Sequence, residues 1–320
     1  MQKPSPTTLY YNILGYMASS RELLEKKFDL RVLNDPRDDT PELLADVEVL
    51  FAPLGFKLSS EKMSMCPNLK AIASNTTGVP HIDVGEANSR GIFVAALHDD
   101  QAFLDTITPT AELTIGLMLA AWRRIPSCHV AAASGAWDRR EWGAPRMFSR
   151  MRLGIVGYGR LGRQVGRIAT AMGMEIDFFD PYVSGGRSSL IDLARRSDIL
   201  SIHAVASAET VGLVSRAVLE TLPKGAMVVN TARGELLDTD ALLDLLESRH
   251  LFAAALDAID GEYEPEFQEL FGNSRVAKYA RCHDNLILTP HIGGSTHDAW
   301  SATEVRVINK LVQYFDVPLV

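Results

Sequence analysis

Residues 152–162 read Arg-Leu-Gly-Ile-Val-Gly-Tyr-Gly-Arg-Leu-Gly, and this stretch decides the fold. Its first half is apolar, which is typical of a buried strand, and its second half spaces three glycines as Gly-x-Gly-x-x-Gly before a helical pattern. A second strand-like run, residues 175–179, ends at Asp180, 18 residues after Gly162. Strand, glycine turn, helix and strand in this order predict a parallel sheet with helices on both faces.

The glycine turn also predicts a dinucleotide site. Gly157 permits the tight turn, Gly159 lets backbone approach a pyrophosphate, and Gly162 allows close packing of helix on strand. Arg160 and Leu161 open the helix, whose N-terminus offers free N–H groups and a positive dipole to phosphates.

Asp180 decides which dinucleotide is expected. Its carboxylate can accept hydrogen bonds from both ribose hydroxyls and would repel a 2′-phosphate, which predicts NAD as the cofactor rather than NADP. The alternative is a glycine turn that binds nothing, with Asp180 as an ordinary turn residue before a proline.

Composition limits the classes of protein to which this chain can belong. A chain of 320 residues, 47% hydrophobic and 22% charged, predicts two globular domains. It has no run of 18 apolar residues and begins without a signal-peptide pattern, so we expect a cytoplasmic protein that does not bind membranes. The net charge of −8 argues against a nucleic-acid partner, and three widely spaced cysteines favour neither a disulfide framework nor a metal site.

Outside the glycine turn, the pattern alternates strands and helices. The first hundred residues predict strands at 9–14, 47–53 and 69–74 and a helix at 19–27. An apolar helix follows at 109–124, with Thr108 as its N-cap and Glu112 as the partner in a capping box. A helix that is apolar all round must be buried between domains or between subunits. Residues 261–284 are predicted to form a polar, irregular connection.

Three later strand-like runs each lead into chemically active side chains. They are 227–229 before Arg233, 253–256 before Asp257, Glu262 and Glu264, and 286–288 before His291. The carboxyl ends of parallel strands meet at the edge where open α/β sheets bind ligands, so we expect Arg233, a glutamate and His291 to lie together.

These residue types suit the reduction of a carbonyl beside a carboxylate. Arginine can bind a carboxylate through two parallel hydrogen bonds, and histidine titrates near neutrality, which suits it to deliver a proton as a hydride arrives. A neighbouring carboxylate favours the protonated imidazole. Each residue alone has a structural explanation as a surface ion pair, a solvated loop acid or a turn histidine.

The sequence resembles the D-isomer-specific 2-hydroxyacid dehydrogenase family along nearly its whole length. The matching motifs are 74–83, 157–162 with Asp180-Pro181, Ser201-Ile202-His203, 230–238, Ala255-Leu256-Asp257 and 289–296. The resemblance implies two doubly wound parallel-sheet α/β domains, Rossmann- or flavodoxin-like, with an active-site cleft between them. The substrate-binding domain would be 1–103 with 291–320, the NAD-binding domain 104–290, and a homodimer would form through the helix region 109–124.

The same resemblance assigns the site residues. Arg233 would bind the substrate carboxylate and carbonyl, His291 would exchange the proton, and a glutamate would pair with His291. Glu262 is preferred for its spacing after Asp257, and Glu264 stays open because it carries the family's Glu-Pro dipeptide. Implied substrate contacts are the amides of Asn75, Thr76, Thr77 and Gly78, and implied cofactor contacts beyond the glycine turn are His203, Thr231, Ala232 and Asp257.

The predicted function is therefore NAD-dependent hydride transfer with a small 2-keto or 2-hydroxy acid. Residues 75–77 are bulkier than the family's glycine-rich loop, and no arginine stands near Pro53 where phosphoglycerate dehydrogenases have one, which disfavours a phosphorylated substrate. Two alternatives stay open: an NAD(H)-sensing regulator resembling the carboxy-terminal-binding corepressors, and an NADP-dependent glyoxylate or hydroxypyruvate reductase.

Overall fold

The computed structural model describes residues 5–264 and 266–317, and within them it contains eleven strands and fourteen α-helices. The strands are β1 Thr7–Tyr11, β2 Asp29–Leu33, β3 Val49–Phe51, β4 Ala71–Ala73, β5 Phe93–Ala95, β6 Arg152–Val156, β7 Glu175–Phe179, β8 Ile199–Ile202, β9 Ala226–Asn230, β10 Leu251–Leu256 and β11 Leu286–Leu288.

The helices alternate with these strands. They are α1 Ala18–Lys27, α2 Pro41–Leu44, α3 Ser60–Ser64, α4 Val84–Ser89, α5 Gln101–Leu104, α6 Pro109–Trp122, α7 Ile125–Ala133, α8 Arg160–Ala171, α9 Leu190–Arg196, α10 Arg216–Thr221, α11 Thr239–Glu247, α12 Phe267–Phe271, α13 Arg275–Cys282 and α14 His297–Phe315. Contacts divide the chain into two units: unit 1 is 1–107 with 295–320, and unit 2 is 108–294.

Unit 1 is built on a parallel five-stranded sheet in the order β2-β1-β3-β4-β5. Alternate strand residues face opposite sides. Tyr10 and Phe51 therefore join α1 and α14 in one apolar cluster, while Leu9 and Leu50 join α3 and α4 in another. Burial on both faces is what a doubly wound parallel sheet requires.

Unit 2 is built on a parallel six-stranded sheet in the order β11-β10-β9-β8-β6-β7. Leu153 and Ile155 face a cluster with α6 and α8, whereas Val156 and Val228 face α9, α10 and α11. The chain reverses its direction across the sheet at β6, because β7 lies on one side of it and β8 on the other. A doubly wound sheet binds ligands at the carboxyl ends of the strands beside such a reversal.

The predicted fold class of two doubly wound α/β sheets is confirmed. The strands at 175–179 and 286–288 have the predicted limits, whereas the strand predicted at 9–14 ends at Tyr11, after which Asn12–Leu14 forms a 3-10 turn. The prediction of an irregular 261–284 connection was wrong, because α12 and α13 lie inside it. One turn of α13 faces the core through Val276 and Tyr279, but its polar composition hid that pattern.

One prediction about α6 also needs correction. Thr108 precedes the helix, but its hydroxyl bonds the Glu112 carboxylate at 2.6 Å and caps no backbone amide, and Glu112 stands one residue beyond the capping-box position. The inner face of α6, with Met118 and Trp122, packs against the sheet of its own unit. Its other side leaves Glu112 and Leu119 exposed.

Candidate active site

The glycine turn after β6 contains two glycines that the fold requires and one that it does not. Gly157 has φ +86°, and a Cβ on it would lie 2.6 Å from the backbone nitrogen of Ala204. A Cβ on Gly162 would lie 2.2 Å from the Gly157 carbonyl oxygen. A Cβ on Gly159 would meet nothing within 4 Å, so this glycine keeps open the space in front of α8. Arg160 and Leu161 form the first turn of that helix.

Asp180 follows β7 and ties it to the glycine turn. One carboxylate oxygen accepts the Tyr158 amide at 2.8 Å, and the other accepts the Tyr182 amide at 2.9 Å. An ionised carboxylate has further lone pairs for two hydroxyl donors. The residue therefore holds the turn in place and can still serve a ribose.

His203 follows β8 and is buried beside the same turn. Its Nε2 lies 2.8 Å from the Ser201 hydroxyl, and burial lowers the pKa of the imidazole to about 4. Its Nδ1 is buried and has no hydrogen-bond partner among residues 5–264 and 266–317. A neutral buried ring with a free polar atom fits a site that a polar ligand completes.

The end of β9 is fixed by the side chain of Asn230. Its amide nitrogen donates to the Arg233 carbonyl at 2.8 Å, and its carbonyl oxygen accepts the Ala232 amide at 3.0 Å. Thr231 is buried, and its hydroxyl lies 2.7 Å from that of Thr114. Thr231 and Ala232 thus lie beside the turn that presents Arg233.

Arg233 is half-buried, and its side chain donates a hydrogen bond to the neighbouring backbone. Its Nη1 donates to the Ala232 carbonyl at 2.7 Å. None of the ion pairs within the described ranges includes it. The next residue must be glycine, since a Cβ on Gly234 would lie 1.9 Å from the Asp260 amide nitrogen in the loop after β10. The guanidinium can therefore bind an anion beside that loop.

His291 and Glu262 are in direct hydrogen-bond contact. His291 Nδ1 lies 2.7 Å from Glu262 Oε1, and the side chain of Glu262 is 13% exposed against 30% for His291. Glu264 is exposed and lies in the next turn, where its amide bonds the Gly261 carbonyl. Of the two glutamates left open by the sequence, Glu262 is the one in contact with His291.

The turn that carries His291 depends on Asp257, the buried acid at the end of β10. Its carboxylate accepts the Thr289 hydroxyl at 2.5 Å, the Ile292 amide at 2.9 Å and the Gly293 amide at 2.8 Å. His291 itself has φ +51°, a left-handed conformation that is uncommon for residues other than glycine. Asp257 thus holds a strained backbone in place. The sequence assigned it only to the cofactor.

The implied substrate loop lies in unit 1, after β4. The Thr76 hydroxyl donates to the Gly78 carbonyl at 2.7 Å and lies 2.8 Å from the Ser74 hydroxyl. Asn75 is half-buried, and Thr77 and Gly78 are exposed. The Thr76 side chain therefore shapes its own loop. All the other predicted site residues belong to unit 2.

Residues 115–293 match the family described as D-isomer specific 2-hydroxyacid dehydrogenase, NAD binding domain. This chain belongs to the D-isomer-specific 2-hydroxyacid dehydrogenase family. Its NAD-binding domain is thus an oxidoreductase domain, and the glycine turn, Asp180 and the free Nδ1 of His203 fit that cofactor.

Curated relatives and a solved structure agree with this assignment. The chain is 33% identical to D-3-phosphoglycerate dehydrogenase of Methanocaldococcus jannaschii over 86% of its own length and 51% of the relative's. It is 30% identical to hydroxypyruvate reductase of Thermotoga maritima over 91% of its length and 92% of the relative's. The 2-hydroxyacid dehydrogenase structure from Ketogulonicigenium vulgare superposes with a TM-score of 0.81 at 28% identity, covering 100% of this chain and 98% of that one. The chain spans about half the length of the phosphoglycerate dehydrogenase first named.

Within 5–264 and 266–317, no three or more His, Cys, Asp or Glu side chains are grouped to hold a metal ion. No helix in the same ranges is long and apolar enough to cross a membrane.

Sequence reasoning missed two residues that shape the site, Asn230 and Tyr263, and one role of a third, Asp257. Asn230 closes the Arg233 turn, Asp257 holds the His291 turn, and Tyr263 places its hydroxyl 3.3 Å from His291 Nδ1. The first could have been found from an asparagine at a strand end, since asparagine side chains commonly bond backbone two residues on. The other two depend on contacts across about 30 residues of chain.

Proposed function

We propose that this protein is an NAD-dependent D-2-hydroxyacid dehydrogenase that transfers a hydride between NADH and C2 of a small 2-keto acid. The observation that carries the proposal is the set of three side chains at neighbouring strand ends. His291 is paired with Glu262 at 2.7 Å, and Arg233 has no ion-pair partner among the described residues. A proton donor with a carboxylate partner and a cation available for an anion are what this reduction needs.

Gly157, Gly159, Gly162 and Asp180 would hold the cofactor. The open space at Gly159 and the amides at the start of α8 suit a pyrophosphate, and Asp180 suits a ribose without a 2′-phosphate. When bound, NADH supplies the hydride. His203, Thr231, Ala232 and Asp257 would line the nicotinamide end.

His291 would hold and deliver the proton. With Nδ1–H directed at the Glu262 carboxylate, the other ring nitrogen, Nε2, faces the substrate and carries the second proton of the imidazolium. During reduction this proton moves to the substrate oxygen, and the imidazole left behind keeps its Nδ1–H bond. Glu262 therefore fixes the tautomer and favours the protonated ring.

Arg233 would bind the substrate carboxylate and stabilise charge on the reacting oxygen. A guanidinium offers two parallel donors to a carboxylate, which orients C2 toward the cofactor. The amides of Asn75, Thr76, Thr77 and Gly78 would complete the carboxylate site. Among substrates, hydroxypyruvate and glyoxylate come first, because relatives matched over 92% and 89% of their length are named hydroxypyruvate reductase and glyoxylate reductase.

The test is NADH oxidation by the purified protein with a panel of 2-keto acids: glyoxylate, pyruvate, hydroxypyruvate, and branched, aromatic and phosphorylated acids, each repeated with NADPH. His291→Ala should lower kcat at least 100-fold. His283→Ala is the matched control, because His283 precedes β11 at the amino end of the sheet and stacks on Tyr279. Measurable NADH binding without turnover of any acid would refute the proposal and favour the sensor.

We further propose a homodimer formed through the α6 region. Leu119 on the outer side of α6 is 37% exposed, and Ile125 and Val130 on α7 are 51% and 64% exposed. Exposed apolar side chains grouped on consecutive helices favour a protein partner. Sedimentation of the wild type should give twice the monomer mass, and Val130→Asp should give monomers. A monomeric wild type would overturn this part.

A further inference from the structure

We propose that Tyr263 is a positioning residue for His291: its hydroxyl shares the Nδ1 proton with Glu262 and holds the imidazole in its working orientation. The inference rests on the proposed function, because it assigns His291 the proton transfer. It adds a third member to the pair that family resemblance predicts.

The contact is made by the hydroxyl rather than by the ring face. Tyr263 Oη lies 3.3 Å from His291 Nδ1, the atom that also lies 2.7 Å from Glu262 Oε1. The two ring centroids are 5.9 Å apart and the planes are inclined by 52°, so the rings do not stack. Two oxygens thus face one N–H, a shared arrangement in which the carboxylate is the stronger acceptor.

The backbone of the loop after β10 explains why adjacent residues reach the same atom. Gly261 has φ +75°, the Glu262 amide bonds the Ile259 carbonyl, and the Glu264 amide bonds the Gly261 carbonyl. Two tight turns in succession therefore enclose Glu262 and Tyr263. The backbone of Asp260 in this loop packs closely against Gly234, which is possible because Gly234 has no side chain.

The phenol stays neutral while His291 works. Burial, and after it the negative charge of Glu262, raise the pKa of Tyr263, so the hydroxyl keeps its proton at neutral pH and above. A neutral hydroxyl can accept from an imidazolium without cancelling its charge. At 48% exposed, Tyr263 is also the most exposed residue of the three.

The charged groups around the ring are few within the described part of the chain. Glu262 and Tyr263 face Nδ1, Asp257 accepts the Thr289 hydroxyl before His291 and the Ile292 amide after it, and Arg233 and Glu235 act on the Tyr263 hydroxyl through space. Removing the phenol oxygen changes none of these charges. The substitution therefore isolates the shared hydrogen bond.

The variant is Tyr263→Phe, compared with Tyr279→Phe as a matched control. Tyr279 also stands against a histidine, with its ring 3.9 Å from that of His283 and its hydroxyl 3.2 Å from Asn285 Oδ1. Reduction needs the protonated ring, so activity falls as the pH rises through its titration. Without the phenol acceptor, this fall should move about 0.5 pH unit lower in Tyr263→Phe, with kcat reduced about twofold at the wild-type midpoint and about threefold well above it, and KM for NADH unchanged. Tyr279→Phe should leave the profile in place.

A second readout needs no substrate. ¹⁵N shifts of the imidazole nitrogens, assigned through His291→Gln, report the proton on Nδ1 in the free protein. Tyr263→Phe should shift this resonance and its titration, whereas Tyr279→Phe should not. An unchanged ¹⁵N titration together with an unchanged pH profile overturns the proposal. If the ¹⁵N signals respond but the wild type reduces no 2-keto acid, the contact stands and the proposed function fails.

Discussion

Replacing Asp257 with asparagine tests whether this acid positions His291. The carboxylate is 1% exposed and accepts three hydrogen bonds from residues 289–293. An asparagine has one acceptor oxygen. If it keeps the Thr289 and Ile292 bonds, its NH₂ group faces the Gly293 amide, which lies 2.8 Å from the replaced oxygen. One bond to a charged acceptor is lost, and a buried donor is left without a partner.

The expected loss in the free energy of unfolding is about 2.5–6 kcal/mol, since a hydrogen bond to a charged group contributes about 1.5–3 kcal/mol and an unsatisfied buried donor costs about 1–3 kcal/mol. The left-handed backbone of His291 costs a further ~1–2 kcal/mol to hold, so a weakened turn should relax toward an ordinary conformation. A misplacement of about 1 Å can cost 100-fold in rate. We therefore expect kcat to fall about 100-fold.

Urea unfolding followed by circular dichroism measures the first effect and steady-state kinetics the second. Asp260→Asn is the control, because Asp260 lies three residues along the same loop with an exposed side chain. If Asp257 served only the nicotinamide, KM for NADH would rise while stability stayed within about 0.5 kcal/mol of the wild type. That result would refute the positioning role.

Four further substitutions test the cofactor half of the site. Gly159→Ala should keep the wild-type Tm but weaken NADH binding at least tenfold by fluorescence titration, whereas Gly162→Ala should lower Tm, because only the second Cβ would meet the protein, at 2.2 Å. Asp180→Asn should raise the ratio of kcat/KM for NADPH over NADH at least tenfold, and an unchanged ratio would remove the carboxylate from cofactor choice. Burial lowers the pKa of His203 to about 4. As the pH falls from about 6.5 to 4, this histidine is therefore protonated in the unfolded chain before it is protonated in the folded protein. The free energy of unfolding should drop by up to about 3 kcal/mol over that window, and denaturation of apo His203→Gln should lack this component.

Sequence periodicity was enough for the fold because the inner parallel strands are buried on both faces. Leu153 and Ile155 enter one core and Val156 the other, so the whole run is apolar and ends sharply at the glycine turn. Strand limits were less certain. Val47–Pro53 read as one apolar run, but only Val49–Phe51 pairs with β4, and pairing depends on the neighbouring strand.

The polar segment of unit 2 between β10 and β11 was harder to predict. Residues 275–282 form a helix that contributes only Val276, Ala277 and Tyr279 to the core, and charged residues surround them. Such a short amphipathic pattern is weak beside the acidic stretch that precedes it. The capping-box prediction failed for another reason: the helix begins at Pro109 after Thr108, as predicted, but Glu112 follows Thr108 by four residues where a capping box needs three.

The choice between Glu262 and Glu264 shows what a sequence leaves to the third dimension. Glu262 follows Asp257 by five residues and Glu264 follows it by seven, so either could be proposed as the partner of His291. Gly261 determines which glutamate makes the contact. Its left-handed backbone closes a turn to Glu264 and directs Glu262 inward, where the Glu262 side chain is largely buried. Gly261→Ala should therefore disturb the Glu262–His291 contact without touching either side chain. A kcat reduced together with an altered His291 ¹⁵N titration would support this reasoning, and wild-type values of both would contradict it.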